Sequence, residues 1–138
     1  MSVPDFLDTN VLVSAYDVSN PSKQHRAREL VRKAVAGALV ISTQVLAEFA
    51  ATLLHKLSPA LPADDVIALL DALAPIRVIV PDGDTVRRAV EAQSAYGVDF
   101  YDGMIIAAAE RAGCDKIWSE DFNAGQKYFD ITVANPFH

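Results

Sequence analysis

The stretch FYDGMIIAAAERAGCDKIWSEDF, residues 100–122, joins a predicted helix to a predicted strand. The alanine-rich first part follows Asp99, a residue type that often begins a helix, and it ends at Gly113, a residue type that often ends one. Lys116–Ser119 then has the apolar character of a short buried strand. A helix that leads directly into such a strand is typical of a parallel sheet with helices between its strands.

The rest of the chain repeats this alternation of short apolar runs and segments with helical spacing. Further strands are predicted at residues 6–7, 38–41, 76–80 and 131–133, and further helices at residues 22–37, 43–54, 62–73 and 82–96. We therefore expect one domain over residues 1–138. Its predicted architecture is a three-layer α/β/α sandwich with a mostly parallel central sheet of about five strands and helices on both faces.

Composition narrows the range of functions. The 138 residues are 51% hydrophobic, which is enough for one core, and carry a net charge of −6. An acidic chain argues against broad, sequence-independent nucleic-acid binding, which depends on neutralising phosphates. Residues 23–33 are nevertheless basic, and this segment is explained equally well by a solvated helix face or by an RNA-binding surface. Its cations are Lys23, Arg26, Arg28, Arg32 and Lys33, and further candidates for RNA contact are Arg87, Arg88 and Lys127.

Cysteine and histidine usage excludes other classes of site. The lone Cys114 cannot form an intrachain disulfide. The three histidines, His25, His55 and His138, are scattered, which argues against a zinc site. No apolar run reaches the roughly 18–20 residues that a membrane-spanning helix needs. We expect a soluble, cytoplasmic protein.

Four carboxylates stand at the edges of apolar segments. They are Asp8 in PDFLDTNVLV, Glu48 in STQVLAEFAATLL, Asp102 in VDFYDGMIIAAAE and Asp121 in KIWSEDF. Ligands of open parallel sheets bind beyond the carboxyl ends of the strands, and that rule predicts that these acids meet. Converging carboxylates repel one another and raise one another's pKa values. A divalent cation relieves that repulsion by favouring the ionised forms.

Each acid, taken alone, has a simpler explanation. Asp8 suits an Asx-turn, Asp121 suits an ordinary turn, and Asp102 suits the third position of a helix that Asp99 caps. Glu48 is the exception, because its helix is apolar nearly all round and such helices are buried. We therefore predict that Glu48 faces a pocket or the core. Together, in this order and spacing, the four acids favour a metal site.

Several segments also carry a resemblance to a known family. They are FLDTNVLVSAY at residues 6–16, STQVLAEF at residues 42–49, the stretch at residues 100–122 and ITVANPF at residues 131–137. Through them nearly the whole chain resembles PIN domains, and specifically the VapC-type toxins of bacterial and archaeal toxin–antitoxin pairs. The resemblance implies an acidic pocket formed by Asp8, Glu48, Asp102 and Asp121, with Thr9 or Asn10 as a supporting polar neighbour. The role of Asp99, an additional acid, stays open.

The resemblance further implies a ribonuclease toxin that hydrolyses RNA phosphodiester bonds, forms a homodimer and is inhibited by a VapB-like antitoxin. Oxygen ligands suit Mg²⁺ or Mn²⁺. We expect Asp8 and Asp102 to bind the principal metal, with Asp121 and Glu48 completing the site and Glu48 orienting a water. The RNA-binding candidates are Lys23, Arg26 and Arg28.

Two other functions remain open. Magnesium-dependent phosphohydrolases of the haloacid-dehalogenase type also place an aspartate after the first strand of a parallel sheet. Their chemistry needs a second aspartate two residues later, where this chain has Asn10. The other alternative is a non-catalytic module whose acids only seat a metal or a basic partner.

Overall fold

The structure, a computed structural model, describes residues 3–137; Met1, Ser2 and His138 lie outside the described residues. The strands are β1 (Asp5–Leu7), β2 (Leu39–Ser42), β3 (Arg77–Ile79), β4 (Lys116–Trp118), β5 (Lys127–Tyr128) and β6 (Ile131–Ala134). The helices are α1 (Thr9–Ser14), α2 (Pro21–Val35), α3 (Thr43–His55), α4 (Ala63–Ala72), α5 (Gly83–Tyr96) and α6 (Phe100–Arg111).

The strands form one sheet in the order β3-β2-β1-β4-β6-β5. All neighbours are parallel except β5 and β6, which are antiparallel. The chain moves outward from β1 through β2 to β3 and then crosses back to place β4 on the other side of β1. This reversal makes the gap between the carboxyl ends of β1 and β4 the topological switch point, where ligands of such sheets bind.

Helices cover both faces of the sheet. Right-handed crossovers place α1 to α4 on one face and the pair α5 and α6 on the other. The strands between them are apolar, and Phe6, Ile41 and Ile117 have no exposed surface. The predicted α/β/α sandwich with a mostly parallel sheet is therefore confirmed. No helix within residues 3–137 is long and apolar enough to cross a membrane.

The helix termini follow the capping residues in the sequence. Ser42 begins α3 and Asp82 begins α5, each accepting a hydrogen bond from the backbone N–H three residues later. Asp99 begins α6 by accepting the N–H of Tyr101. Gly97 ends α5 in the left-handed conformation, with a φ of 69°, which glycine adopts without strain.

The sheet has six strands, one more than the approximate number predicted. The additional strand, β5, is two residues long and forms a hairpin with β6. Hydrophobic alternation cannot reveal so short a strand. Its turn contains Phe129 at a positive φ of 53°, and the Phe129 N–H donates to the Tyr96 hydroxyl at 2.6 Å.

Helices α5 and α6 approach each other closely at Gly103. A Cβ at this position would lie 2.6 Å from the backbone oxygen of Ala89, a distance that real Cβ atoms essentially never show. Only glycine permits this separation of the two helices. Because Gly103 directly follows Asp102, the same contact sets where the first turn of α6 lies above the sheet.

We predict that Gly103→Ala lowers the free energy of unfolding by roughly 1–3 kcal/mol, the usual cost of overpacking. Alanine normally stabilises a helix relative to glycine, so a loss would report the backbone clash. Gly83→Ala is the matched control, because a Cβ there meets nothing within 4 Å. Urea denaturation of both variants measures the effect, and equal stabilities would contradict the close approach.

Candidate metal centre

Asp8 is a buried carboxylate at the carboxyl end of β1, with 6% of its surface exposed. It caps α1, and its Oδ1 accepts the Thr9 N–H at 2.8 Å. Its Oδ2 accepts hydrogen bonds from the Ser119 hydroxyl at 2.8 Å and from the Asn10 amide at 3.1 Å. Three donors from different directions hold the carboxylate in one orientation.

Ser119 joins the ends of β1 and β4. It directly follows β4 and is fully buried. While it donates to Asp8, its oxygen accepts the Asn10 Nδ2 and the Asp121 backbone N–H, both at 3.1 Å. Ser119 is not among the site residues identified from the sequence. Its position as the first polar residue after a buried strand could have indicated this role.

The two predicted supporting residues differ in their contacts. Asn10 reaches Asp8 and Ser119 through its amide nitrogen, and its Oδ1 accepts the Glu120 N–H at 3.1 Å. Thr9 contacts Asp8 through its backbone alone, and its Oγ1 is buried without a hydrogen-bond partner. Of these two residues, only Asn10 uses its side chain to hold Asp8, and it does so together with Ser119.

The electrostatics of Asp8 show its proximity to other acids. Burial, the largest effect, raises its pKa from 3.8 to about 6, while hydrogen bonds from Ser119 and Thr9 partly offset this rise. The negative charges of Asp121 and Glu48 raise the pKa further. Asp8 is thus a carboxylate whose ionised form lacks a compensating positive charge.

Asp102 shares this environment. It occupies the third position of α6, where Asp99 is the N-cap. Partial burial raises the pKa of Asp102 most, followed by the charges of Asp99, Asp121 and Glu48. The four predicted acids and Asp99 therefore act on one another electrostatically.

Glu48 is exposed and does not face the core, but its negative charge raises the pKa values of Asp8 and Asp102, so it lies near those acids. Helix α3 fully buries only Val45, Phe49 and Leu53, and the small residues beside Glu48 leave that side open. The side chain is nevertheless ordered. Gln44 Nε2 donates to Glu48 Oε1 at 2.8 Å and to the Tyr101 backbone oxygen at 3.1 Å, which ties α3 to α6.

The acids are not arranged as a ready ligand set. Within residues 3–137, no three or more histidine, cysteine, aspartate or glutamate side chains are grouped to hold a metal ion. Mutual repulsion of carboxylates opposes such a grouping until a cation is present. The donors themselves fit a hard divalent cation, because they are carboxylate oxygens around a buried aspartate with a raised pKa.

Two of the three principal RNA-binding candidates, Arg26 and Arg28, help to hold the fold through hydrogen bonds to backbone oxygens. Arg26 donates to the Pro136 backbone oxygen at 3.2 Å, and Arg28 donates to that of Ala15 at 2.9 Å. Lys23 differs, because it pairs at 2.6 Å with Glu120, the residue before Asp121. Of the three, Lys23 is the one whose partner directly adjoins the acid cluster.

The candidates outside residues 23–33, which are Arg87, Arg88 and Lys127, lie in different settings. Arg88 donates to both carboxylate oxygens of Glu110, at 2.7 and 3.0 Å, and lies over the ring of Phe129. Arg87 and Lys127 are exposed. Arg88 is therefore committed to packing, whereas Arg87 and Lys127 have surface accessible to solvent.

Comparisons with known proteins agree with this architecture. A family model described as the PIN domain matches residues 6–129. No curated protein has significant sequence similarity to the chain. Among solved structures, a toxin–antitoxin complex from Klebsiella pneumoniae is 16% identical, with a TM-score of 0.69 over 96% of this chain and 97% of that one.

Two further solved structures have the same fold. The VapC20 toxin of Mycobacterium tuberculosis, described as cleaving the sarcin-ricin loop, is 18% identical, with a TM-score of 0.65 over 85% of this chain and 91% of its own. DNA-bound VapBC from Salmonella typhimurium is 16% identical, with a TM-score of 0.69 over 98% of this chain and 99% of that one. At such identities the similarity shows a shared fold.

We predict that Asp8→Asn stabilises the metal-free protein by an amount that increases with pH. Because the pKa of Asp8 is about 6 when folded and 3.8 ordinarily, the folded chain binds the proton more tightly. Wild-type stability is therefore fully present below pH 4 and falls as the pH rises through about 6. At about 1.4 kcal/mol per pKa unit, the full difference is of the order of 3 kcal/mol.

Urea denaturation in EDTA, from about pH 4 to about pH 7.5, covers this window. Asp71→Asn is the control, since Asp71 is exposed on α4 and the charge change is identical. A stability difference between Asp8→Asn and wild type that stays constant with pH would show that Asp8 titrates normally.

Proposed function

The chain belongs to the PIN domain family, and from that premise we propose that it is a Mg²⁺- or Mn²⁺-dependent endoribonuclease, the toxin of a toxin–antitoxin pair acting in the cytoplasm. The observation that carries this proposal is Asp8. It is a buried carboxylate at the switch point of the sheet; burial, together with the smaller effect of the Asp121 and Glu48 charges, raises its pKa to about 6. Such an arrangement favours a divalent cation and, with it, phosphodiester hydrolysis.

In this proposal Asp8 and Asp102 hold the principal metal, and Asp121 and Glu48 complete the site. A bound Mg²⁺ or Mn²⁺ supplies a more acidic water and stabilises charge that develops on the phosphate oxygens. Glu48 orients the attacking water, a role that its exposed but hydrogen-bonded side chain supports.

The chain's own residues contribute orientation. Ser119 and Asn10 fix Asp8, and the Ser119 oxygen also accepts the backbone N–H of Asp121. Gln44 ties Glu48 to the start of α6. The hydrogen bonds thus link the strand ends and helix starts that carry the acids, which limits the rearrangement needed when a cation binds.

RNA and an antitoxin are proposed partners because solved structures of this fold include an RNA-cleaving toxin and toxin–antitoxin complexes. An apolar groove of about 370 Å³ between α3 and α4 supports a protein partner, and the nearby Ile67 is 55% exposed. The groove is lined by Thr43, Leu46, Ala47, Ala50, Leu70, Leu73, Ala74 and Val78. A homodimer rests on the family resemblance.

Asn10 argues against the phosphohydrolase alternative. It stands where that chemistry needs a second aspartate, and its amide is committed to Asp8, Ser119 and the Glu120 N–H. It therefore cannot act as an acid toward a leaving group. A covalent aspartyl-phosphate on Asp8 would reverse this conclusion.

We expect wild-type protein with Mg²⁺ or Mn²⁺ to cut total RNA into discrete fragments, and Asp8→Asn or Asp102→Asn to reduce the rate at least about 100-fold, the usual cost of removing an active-site electrostatic group. Gel electrophoresis of the products measures the rate. Asp71→Asn controls for the lost charge, and EDTA controls for the metal.

Two results would count against the assignment. Cleavage by a folded Asp8→Asn protein at the wild-type rate would remove the acid cluster from the reaction. No cleavage of any RNA by folded wild-type protein, with metal present and antitoxin absent, would favour the non-catalytic module.

Ser119→Ala should lower cleavage by about 10- to 100-fold and raise the metal concentration needed for half-maximal rate, as losses of groups that orient ligands do. Metal titration of the cleavage rate separates these two effects. Ser94→Ala, at an exposed position of α5, is the control. An unchanged metal requirement in Ser119→Ala would show that Ser119 only packs.

A further inference from the structure

Lys23 lines two cavities, and the first adjoins the acid cluster because Glu120, the residue before Asp121, also lines it. The first, of about 190 Å³, is lined by Ser14, Asp17, Ser19, Asn20, Lys23 and Glu120. The second, of about 290 Å³, is lined by Ser22, Lys23, Arg26, Pro136 and Phe137. The first is polar, and the second contains the aromatic ring of Phe137.

In the first cavity Lys23 and Glu120 form an ion pair, and both keep further capacity for hydrogen bonds. Lys23 Nζ contacts Glu120 Oε2 at 2.6 Å, and the two side chains are 37% and 26% exposed. A lysine ammonium has three donors, so Lys23 keeps donors for a ligand. Within residues 3–137, Glu120 Oε1 accepts no hydrogen bond. The pair therefore presents a cationic donor beside a carboxylate with acceptor capacity.

We propose that this cavity is a guanine-binding subsite for the RNA substrate, an inference that rests on the proposed function. Guanine alone among the RNA bases has two adjacent donors, N1–H and N2–H, beside an acceptor, O6. Glu120 accepts from the two donors and Lys23 donates to O6. Proteins read splayed single-stranded bases through such contacts to the Watson–Crick edge.

The connection to the acid cluster places this base next to the reacting phosphate. The Glu120 N–H donates to Asn10 Oδ1 at 3.1 Å, and Asn10 Nδ2 donates to Asp8. The hydroxyl of Ser14, which also lines the cavity, donates to the Asn10 backbone oxygen at 3.0 Å. A nucleotide whose base occupies the cavity therefore has its own phosphates near Asp8 and Asp121.

The second cavity suits a neighbouring base. The Lys23 ammonium lies 5.1 Å from the centroid of the Phe137 ring, and Arg26 lines the same space. Aromatic rings and guanidinium planes are the surfaces on which single-stranded bases stack without regard to sequence. The first cavity would thus recognise one base by its hydrogen-bonding edge, and the second would hold a neighbouring base by stacking.

Binding without metal tests the subsite independently of cleavage. The probes are fluorescein-labelled oligouridylates with one central guanosine, inosine, adenosine or uridine, measured by anisotropy in EDTA. We expect wild type to bind the guanosine probe at least about fivefold more tightly than the adenosine or uridine probe, as good base-edge contacts allow. Inosine, which lacks the N2 amino group, should bind at an intermediate affinity.

Substitutions at Lys23 and Glu120 test whether this ion pair causes the guanosine preference. Glu120→Gln keeps the side-chain size and should abolish the guanosine preference, because an amide has one acceptor instead of a carboxylate's two. Lys23→Met should reduce the affinity for the guanosine probe more than the affinity for the other probes. Lys33→Met, an equal charge change at an exposed position of the same helix, should leave the ratio between probes unchanged.

The inference is supported if wild type prefers guanosine and Glu120→Gln does not. Equal affinity for all probes, binding of none of them, or a preference that survives in a folded Glu120→Gln protein would each overturn it. RNA cleavage with metal is scored separately. Cleavage without a guanosine preference would support the proposed nuclease and contradict the guanine subsite. A guanosine preference without cleavage would support the subsite and contradict the proposed nuclease.

Discussion

The hydrogen bond from the Ser119 hydroxyl to the buried Asp8 carboxylate links the carboxyl ends of β1 and β4, and the candidate site is organised around it. These two strands are neighbours only because the chain reverses direction across the sheet between β3 and β4. The reversal leaves a crevice that no crossover covers. Burial in this crevice raises the pKa of Asp8. The ionised carboxylate therefore destabilises the folded state, and a bound cation can remove that cost.

The remaining acids depend on helix packing. Gly103 allows α6 to lie against α5 at backbone distance, and this sets the position of Asp102 one residue earlier. On the other side, Gln44 connects Glu48 to the backbone of Tyr101. The site is therefore assembled from both helical layers and the sheet between them. A disturbance of either helix layer changes the spacing of the acids without touching any of them.

Sequence reasoning predicted the architecture and the proximity of the acids because both follow from strand ends and helix starts. It missed Ser119, since a serine after a strand is common and its side-chain partners, Asp8 and Asn10, lie more than a hundred residues away along the chain. It overestimated the burial of Glu48, because small apolar residues satisfy a helical pattern while leaving a face of the helix open. It also could not foresee that Lys23 pairs with Glu120, a long-range contact that periodicity does not encode.

That ion pair changes the expected basis of RNA affinity. In the free protein Lys23 is paired with Glu120, and Arg26 and Arg28 donate to backbone oxygens. With a net charge of −6, the chain gains little from releasing counterions when it binds a polyanion. Under the proposed function, affinity would then come mainly from contacts to the bases and from a metal that Asp8 and Asp102 would hold. Under the proposed function we therefore expect the chain to bind few RNA sequences, with a shallow salt dependence, and to select them through the cavities that Lys23 lines.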